Sequence, residues 1–179
     1  TGASAPETPE TLTAENLGGN RFKLTWTGDS RASGYKINYK RSSLSKWYSI
    51  QTTSTTYTKD MATEGILYDF RGRAFYENEN GEKIYSAEYS DTVSQASFGK
   101  TGTLSGALNK ETMTASLSWT ETKGADGYTV YFRPKGGNSY QSVDTEKLSF
   151  KQKIDSSVSA YEYYVIPYML SGGERFYCG

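Results

Sequence analysis

The strongest constraint in this sequence is an echo. Leu24, Trp26, Gly34, Tyr35 and Ile37 recur 93 positions later as Leu117, Trp119, Gly127, Tyr128 and Val130, and Tyr39 recurs as Phe132. The same offset of 93 carries Tyr68, Phe70 and Phe75 onto Tyr161, Tyr163 and Tyr168. Agreement over such a span is internal duplication, so the chain reads as two copies of one folding unit rather than one large domain. Within each copy apolar and polar residues alternate, as in Leu24-Thr25-Trp26 and Tyr35-Lys36-Ile37-Asn38-Tyr39. That is the period of a strand with one buried face. The two runs are neighbouring strands, with the indole packed between sheets.

The rest of the sequence agrees with an all-β chain. Only 35% of residues are hydrophobic, yet 16 are Tyr, so the cores must be built from a few large rings. In the first copy, strands are expected at about 11–16, 21–27, 34–41, 46–52, 55–58, 67–76 and 84–94, each bounded by Gly, Asn, Asp or Ser clusters. No segment holds apolar residues at i, i+3, i+4 and i+7 for three turns behind a cap, so helices should be nearly absent. Short strands at this spacing point to Greek-key sandwiches. Residues 1–9 are small, polar and Pro-punctuated, which is linker composition. The first domain then covers 10–97 and the second 98–179. In the second, the final strand reads as mostly missing, because the sequence after Tyr168 reaches only Tyr177-Cys178-Gly179. That would leave the sixth strand with an unpaired edge. Pro167 removes a ladder donor from that strand and predicts a bulge or a local edge.

These residues resemble the fibronectin type III domains. The resemblance rests on the Trp of the second strand and the Gly-Tyr-x-hydrophobic-x-aromatic third strand. It rests also on the Tyr that opens the sixth (Ile66-Leu67-Tyr68-Asp69-Phe70 and Ala160-Tyr161-Glu162-Tyr163). It covers nearly the whole chain. With Asn80-Gly81-Glu82-Lys83-Ile84-Tyr85-Ser86 between the last two strands, it is similar to modules of bacterial extracellular multidomain proteins. It implies a seven-strand, three-plus-four sandwich in each half, and it implies no ligand. Tyr68 and Tyr161 are the expected tyrosine corners, with each hydroxyl bonded to backbone a few residues upstream.

Several function classes lose support from composition. Twenty Lys plus Arg balance twenty Asp plus Glu, and neither half carries the basic field that selects nucleic acid or anionic membrane. No apolar run reaches the length of a membrane span. The sequence contains no His, which removes the commonest general base and metal ligand. Cys178 is the single cysteine, so an internal disulfide is excluded. No catalytic residue, cofactor or metal ligand is assigned. The leading functional reading is a non-catalytic spacer or adhesive stalk segment of a larger secreted or cell-surface protein, whose partners are other domains of the same polypeptide.

A second reading uses surface aromatics to bind a carbohydrate or a surface protein. Trp47 and Tyr48 are adjacent, so one must point away from the core. Tyr140 is the loose counterpart in the second copy. The run Tyr161-Glu162-Tyr163-Tyr164-Val165-Ile166-Pro167-Tyr168 leaves rings outside whichever face is buried, either Tyr164 and Tyr168 or their neighbours. Trp47, Tyr48, Tyr140, Tyr164 and Tyr168 are therefore the candidate contact residues. The competing expectation is that such rings pack under long stems, with Arg71, Arg73 and Lys36 supplying cation–π contacts.

Overall fold

The computed structural model describes residues 4–179. It is all-β, and the chain divides into two compact units, Thr1–Ser97 and Phe98–Gly179. In the first, β1 (Thr13–Asn16), β2 (Arg21–Thr25) and β5 (Thr56–Asp60) form one antiparallel sheet in the order β1-β2-β5. The facing sheet has the order β4-β3-β6-β7, from β4 (Tyr48–Thr52), β3 (Gly34–Arg41), β6 (Leu67–Glu77) and β7 (Lys83–Tyr85). β8 (Val93–Ala96) pairs with the other end of β6. In the second unit, β9 (Leu104–Asn109), β10 (Thr114–Trp119) and β13 (Ser149–Lys153) form the three-stranded sheet. Its partner sheet is β12-β11-β14-β15, from β12 (Gln141–Thr145), β11 (Gly127–Pro134), β14 (Tyr161–Ser171) and β15 (Glu174–Tyr177). The second unit is thus a three-plus-four Greek-key sandwich, and the first follows the same plan with β7 and β8 sharing the last place beside β6.

The alternation seen in the sequence is the alternation of burial. Phe22 and Leu24 on β2, Tyr35 and Ile37 on β3, and Tyr68 and Phe70 on β6 close a core with Trp26. Trp26 meets Tyr35 edge-on at 5.6 Å, and the Tyr35 hydroxyl accepts the Asp29 N–H at 3.0 Å. The second unit repeats this at the same offset: Trp119 meets Tyr128 edge-on at 5.7 Å, and the Tyr128 hydroxyl accepts the Thr122 N–H at 2.9 Å. Both indole N–H groups are buried without an acceptor. The Tyr68 corner forms as expected, its hydroxyl donating to Thr63 O at 3.2 Å and accepting the Thr63 N–H at 3.3 Å. Tyr161 is the looser counterpart, accepting the Asp155 N–H at 3.5 Å.

Three features differ from the sequence expectation. Of the linker residues 1–9, residues 1–3 lie outside the described part, while Pro6 and Pro9 are buried. The Glu7 N–H donates to Asp29 at 2.6 Å, and Glu7 also pairs with Arg31 at 3.0 Å. Composition missed this because the clasp needs a loop 22 residues away. The last strand of the first unit is not continuous. Four residues separate Phe70 from Phe75 on β6, against seven between their partners Val93 and Tyr85, so the excess bulges out between β7 and β8. Ser86 N and Ser90 N bridge the gap by donating to Ala74 O and Gly72 O. Finally, β14 runs unbroken through Pro167. Pro167 O accepts the Cys178 N–H at 3.0 Å. Its missing N–H therefore faces the same side, just past the end of β15, and Pro167 sits at a local edge without a bulge.

In the second unit β15 pairs with Tyr168–Ser171 of β14. The buried cluster of the second unit is Leu117, Trp119, Tyr128 and Val130, and every residue of β9 is exposed.

Candidate functional site

The outward face of the larger sheet in each unit carries aromatic residues that the core does not use. In the first unit, register places Lys36, Asn38 and Lys40 of β3 beside Arg73, Arg71 and Asp69 of β6. The guanidiniums stack between rings. Arg71 lies 4.3 Å from the Trp47 ring centroid and 4.1 Å from Tyr89, and Arg73 lies 4.7 Å from Tyr89 and 3.9 Å from Tyr85. Lys40 and Lys36 cap the two ends over Trp47 and Tyr85. Trp47 is thereby half-buried between cations, which is the stem packing expected of Arg71, Arg73 and Lys36. The bulge between β7 and β8 supplies Tyr89, which sequence reasoning did not single out.

Tyr48 points the other way, as an adjacent strand residue must. It is 50% exposed, stacks on Tyr39 at 5.7 Å and carries Lys46 over its ring at 5.0 Å. It borders a cleft of about 630 Å³ that Leu44, Met61 and Tyr68 also line.

In the second unit the corresponding face keeps one corner and changes the rest. Lys40, Asp69 and Trp47 become Arg133, Glu162 and Tyr140. The Lys40–Asp69 pair at 3.0 Å is replaced by Arg133–Glu162 at 2.7 Å, and Arg133 lies 4.2 Å from the Tyr140 ring. Arg71, however, becomes Tyr164, and Asn38 becomes Tyr131. These two are cross-strand partners and stack at 4.6 Å with an interplanar angle of 11°, while Tyr140 meets Tyr164 edge-on at 4.8 Å. Tyr164 is 39% exposed and Tyr140 36%. Burial, with the neighbouring hydroxyls of Tyr177 and Tyr164 and the Asp144 carboxylate adding to it, pushes the Tyr131 hydroxyl up, so this ring stays neutral. Hydrogen bonding to Glu162 holds Arg133 firmly charged. Thr129 and Arg175 both donate to Asp144, keeping its carboxyl below the usual value.

The structure therefore brings Tyr140 and Tyr164 together, adds Tyr131 to them, and leaves Trp47 and Tyr48 in the other unit on opposite sides of a sheet. Tyr168 departs from the expected outward exposure. It lies over Gly127, its strand partner, with Arg175 stacked 4.0 Å from its ring, and only 5% of it is exposed. Phe75 lies over Gly34 in the same way under Lys83. A glycine opposite a ring lets the ring fold down onto backbone, which alternation along the strand cannot reveal. The missed Tyr131 did have a signal: carrying the outward residues Lys36, Asn38 and Lys40 forward by 93 yields Thr129, Tyr131 and Arg133.

The described residues contain no cluster of three or more His, Cys, Asp or Glu side chains able to hold a metal, and no helix long and apolar enough to cross a membrane. Strand order and register define the class as two consecutive Greek-key sandwiches, of eight strands in the first unit and seven in the second. Comparison with family models and with curated proteins found no match. Among solved structures, the chain is similar to a two-fibronectin-type-III-domain segment of chicken tenascin, at 19% identity and TM-score 0.45, covering 96% of this chain and 97% of that one. It is similar also to the FN1–FN3 domains of chicken CNTN1, at 17% identity and TM-score 0.42, covering 97% of this chain. The chain spans 62% of the length of that segment. A myokine structure matches 52% of this chain and 98% of its own, at 20% identity and TM-score 0.42.

Proposed function

We propose that the chain is a non-catalytic segment of a larger secreted or cell-surface protein, in which two self-contained sandwiches act as a spacer or adhesive stalk. The carrying observation is that each unit closes its own hydrophobic cluster around its own Trp–Tyr pair. A load-bearing or spacing role asks for independently folded beads and for no reactive centre. Pulling single molecules from their ends tests this. Two separate unfolding events, each releasing about half the chain, are expected; one all-or-none event would overturn the reading.

A second reading is favoured by one feature of the second unit, the half-exposed Tyr131–Tyr140–Tyr164 cluster beside the Arg133–Glu162 pair. Flat rings beside a charged, directional donor suit a sugar face or a protein partner. A glycan array and a surface-protein pull-down with the parent and with Tyr164→Ala would decide it. Binding that disappears in the variant while its melting curve is retained supports a ligand face; equal or no binding in both leaves the spacer alone.

A further inference from the structure

The outward face of the larger sheet in the first unit carries more positive charge than it neutralises. By alternation its strands present Lys36 and Lys40 on β3, Arg71 and Arg73 on β6 and Lys83 on β7, against the two carboxylates of Asp69 and Glu77. Lys40 pairs with Asp69 at 3.0 Å and Lys83 with Glu77 at 3.9 Å, which uses both acids. Lys36, Arg71 and Arg73 have neither an ion pair nor a hydrogen bond among the described residues, and each meets only rings. The whole chain balances twenty basic against twenty acidic residues, so this excess is local.

Register sets the three side by side. Lys36 is the cross-strand partner of Arg73, about 5 Å away between backbones, and Arg71 stands two residues along β6, about 7 Å away. The rings grip each guanidinium by its faces, which leaves its edge able to donate. The Nε atoms of Arg71 and Arg73 are buried without an acceptor, whereas their Nη groups are not buried and bond to nothing among the described residues. Two planar forks are therefore held in fixed orientation, their side-chain entropy already lost on folding. None of the three cations lines a cleft, since the cavities of about 630 Å³ and 410 Å³ in this unit have other walls. The duplication supplies an internal comparison. An offset of 93 carries Lys36, Arg71 and Arg73 onto Thr129, Tyr164 and Ile166, while the paired corner survives as Arg133–Glu162. The frame thus needs the ion pair and does not need the unpaired triangle.

We propose that Lys36, Arg71 and Arg73 form a binding site for a polyanionic polysaccharide, one whose sugars carry sulfate or carboxylate groups. Each fork suits an oxyanion held through two parallel N–H···O bonds, and the Lys36 ammonium adds a charge without directional demand. The ring faces are already covered by cations, so the contact runs through the anionic substituents and not through stacking on the sugar. That separates this site from the tyrosine face of the second unit, and it stands whether or not that face binds anything. A flat ladder without a pocket favours anions repeated along a chain over a polypeptide anchored by a buried side chain.

The test measures binding of the full chain to immobilised dextran sulfate, with unsubstituted dextran as the neutral control. The parent should bind dextran sulfate with an affinity that falls as salt rises, and should not bind dextran. Arg73→Gln should weaken binding about 10-fold through the lost charge-assisted bonds. Arg73→Lys keeps the charge, loses the fork and should weaken it about 3-fold. Lys36→Gln leaves the ring-held guanidiniums in place and should also cost about 3-fold in affinity with an unchanged melting curve. A double variant, Lys46→Gln with Lys59→Gln, removes two cations from the cleft beside Tyr48 and should bind as the parent does. Absence of binding to dextran sulfate would overturn the proposal. So would full affinity in Arg73→Lys or Lys36→Gln, or a loss in the cleft variant equal to that in Arg73→Gln, since the attraction would then be general charge. Binding to poly-glutamate as tight as to dextran sulfate would overturn it as well, because the occupant would then be an acidic polypeptide.

Discussion

The outward sheet faces of the two units began as the same surface and now do different work. In the first, Arg71 and Arg73 are threaded between Trp47, Tyr89 and Tyr85, so the rings are spent on holding cations and the cations on covering rings. In the second, Tyr164 stands where Arg71 stood and Tyr131 where Asn38 stood, so ring stacks on ring and an exposed tyrosine cluster remains. The lesson is that an alternating cation–aromatic ladder needs both members and a cap. The first unit supplies the cap from the bulge that carries Tyr89. One duplicated frame thus carries a cation–ring face in one unit and a ring-on-ring face in the other.

The comparison breaks most visibly if the two cores are not equivalent. Trp26→Ala and Trp119→Ala each remove a buried indole and should each cost roughly 3–5 kcal/mol by cavity formation. Two-probe denaturant melts are expected to show loss of one unit only in each variant. The thinner second cluster makes Trp119→Ala the variant more prone to leave its unit unfolded at ordinary temperature. Simultaneous loss of both units in either variant would end the picture of independent cores.

Next in size is the ring-over-glycine pair. A Cβ on Gly34 would sit 2.6 Å from Phe75 Cζ, and one on Gly127 would collide with the Tyr168 phenol. Gly34→Ala and Gly127→Ala should each destabilise their own unit by about 1–3 kcal/mol through forced repacking. Near-equal shifts would confirm that this part of the frame is shared; a silent Gly127→Ala would show Tyr168 free to swing outward, reopening it as a contact residue.

The outward faces themselves separate at the next level. Arg73→Ala removes one cation from two rings and should lower first-unit stability by about 1–2 kcal/mol. Tyr164→Ala removes a half-exposed ring and should cost the second unit about 0.5–1.5 kcal/mol. A Tyr164→Ala cost as large as that of a core tyrosine would assign the cluster to structure alone.

The smallest effect is in acid. Burial works against the charge of Asp69, but hydrogen bonds from Ser42 and Ser94 and the Lys40 ammonium outweigh it and hold the carboxyl below its ordinary value of 3.8. A carboxyl depressed in the folded state contributes stability that is fully present above that ordinary value and is lost as pH falls through the lower folded one. Asp69→Asn should therefore weaken the first unit at neutral pH and flatten its stability profile below about pH 4. A profile unchanged in slope would remove Asp69 from the account.

How much of this was legible beforehand follows from which interactions are local. Strand positions and the inward residues were readable because burial on a pleated sheet imposes a period of two, and the 93-residue echo read that period twice. Trp47 under Arg71 was readable in kind, since long cationic stems over rings were the expected alternative to a bare aromatic patch. Tyr131 was readable by offset and overlooked. Tyr89, the clasp of Glu7 on Asp29 and Arg31, and the burial of Tyr168 were not readable. Each depends on a partner across the fold: a bulge three residues long, a loop 22 positions away, a glycine on the adjacent strand.

The sequence by itself determined that this chain is a duplicated all-β protein built on Trp–Tyr cores, because hydrophobic alternation and repetition are properties of the chain alone. Only the tertiary structure decided which of its many rings are sheathed and which are stacked in the open. Those outcomes are set by cross-strand register and by the neighbour that a given side chain meets, and register is a property of two strands, not of one.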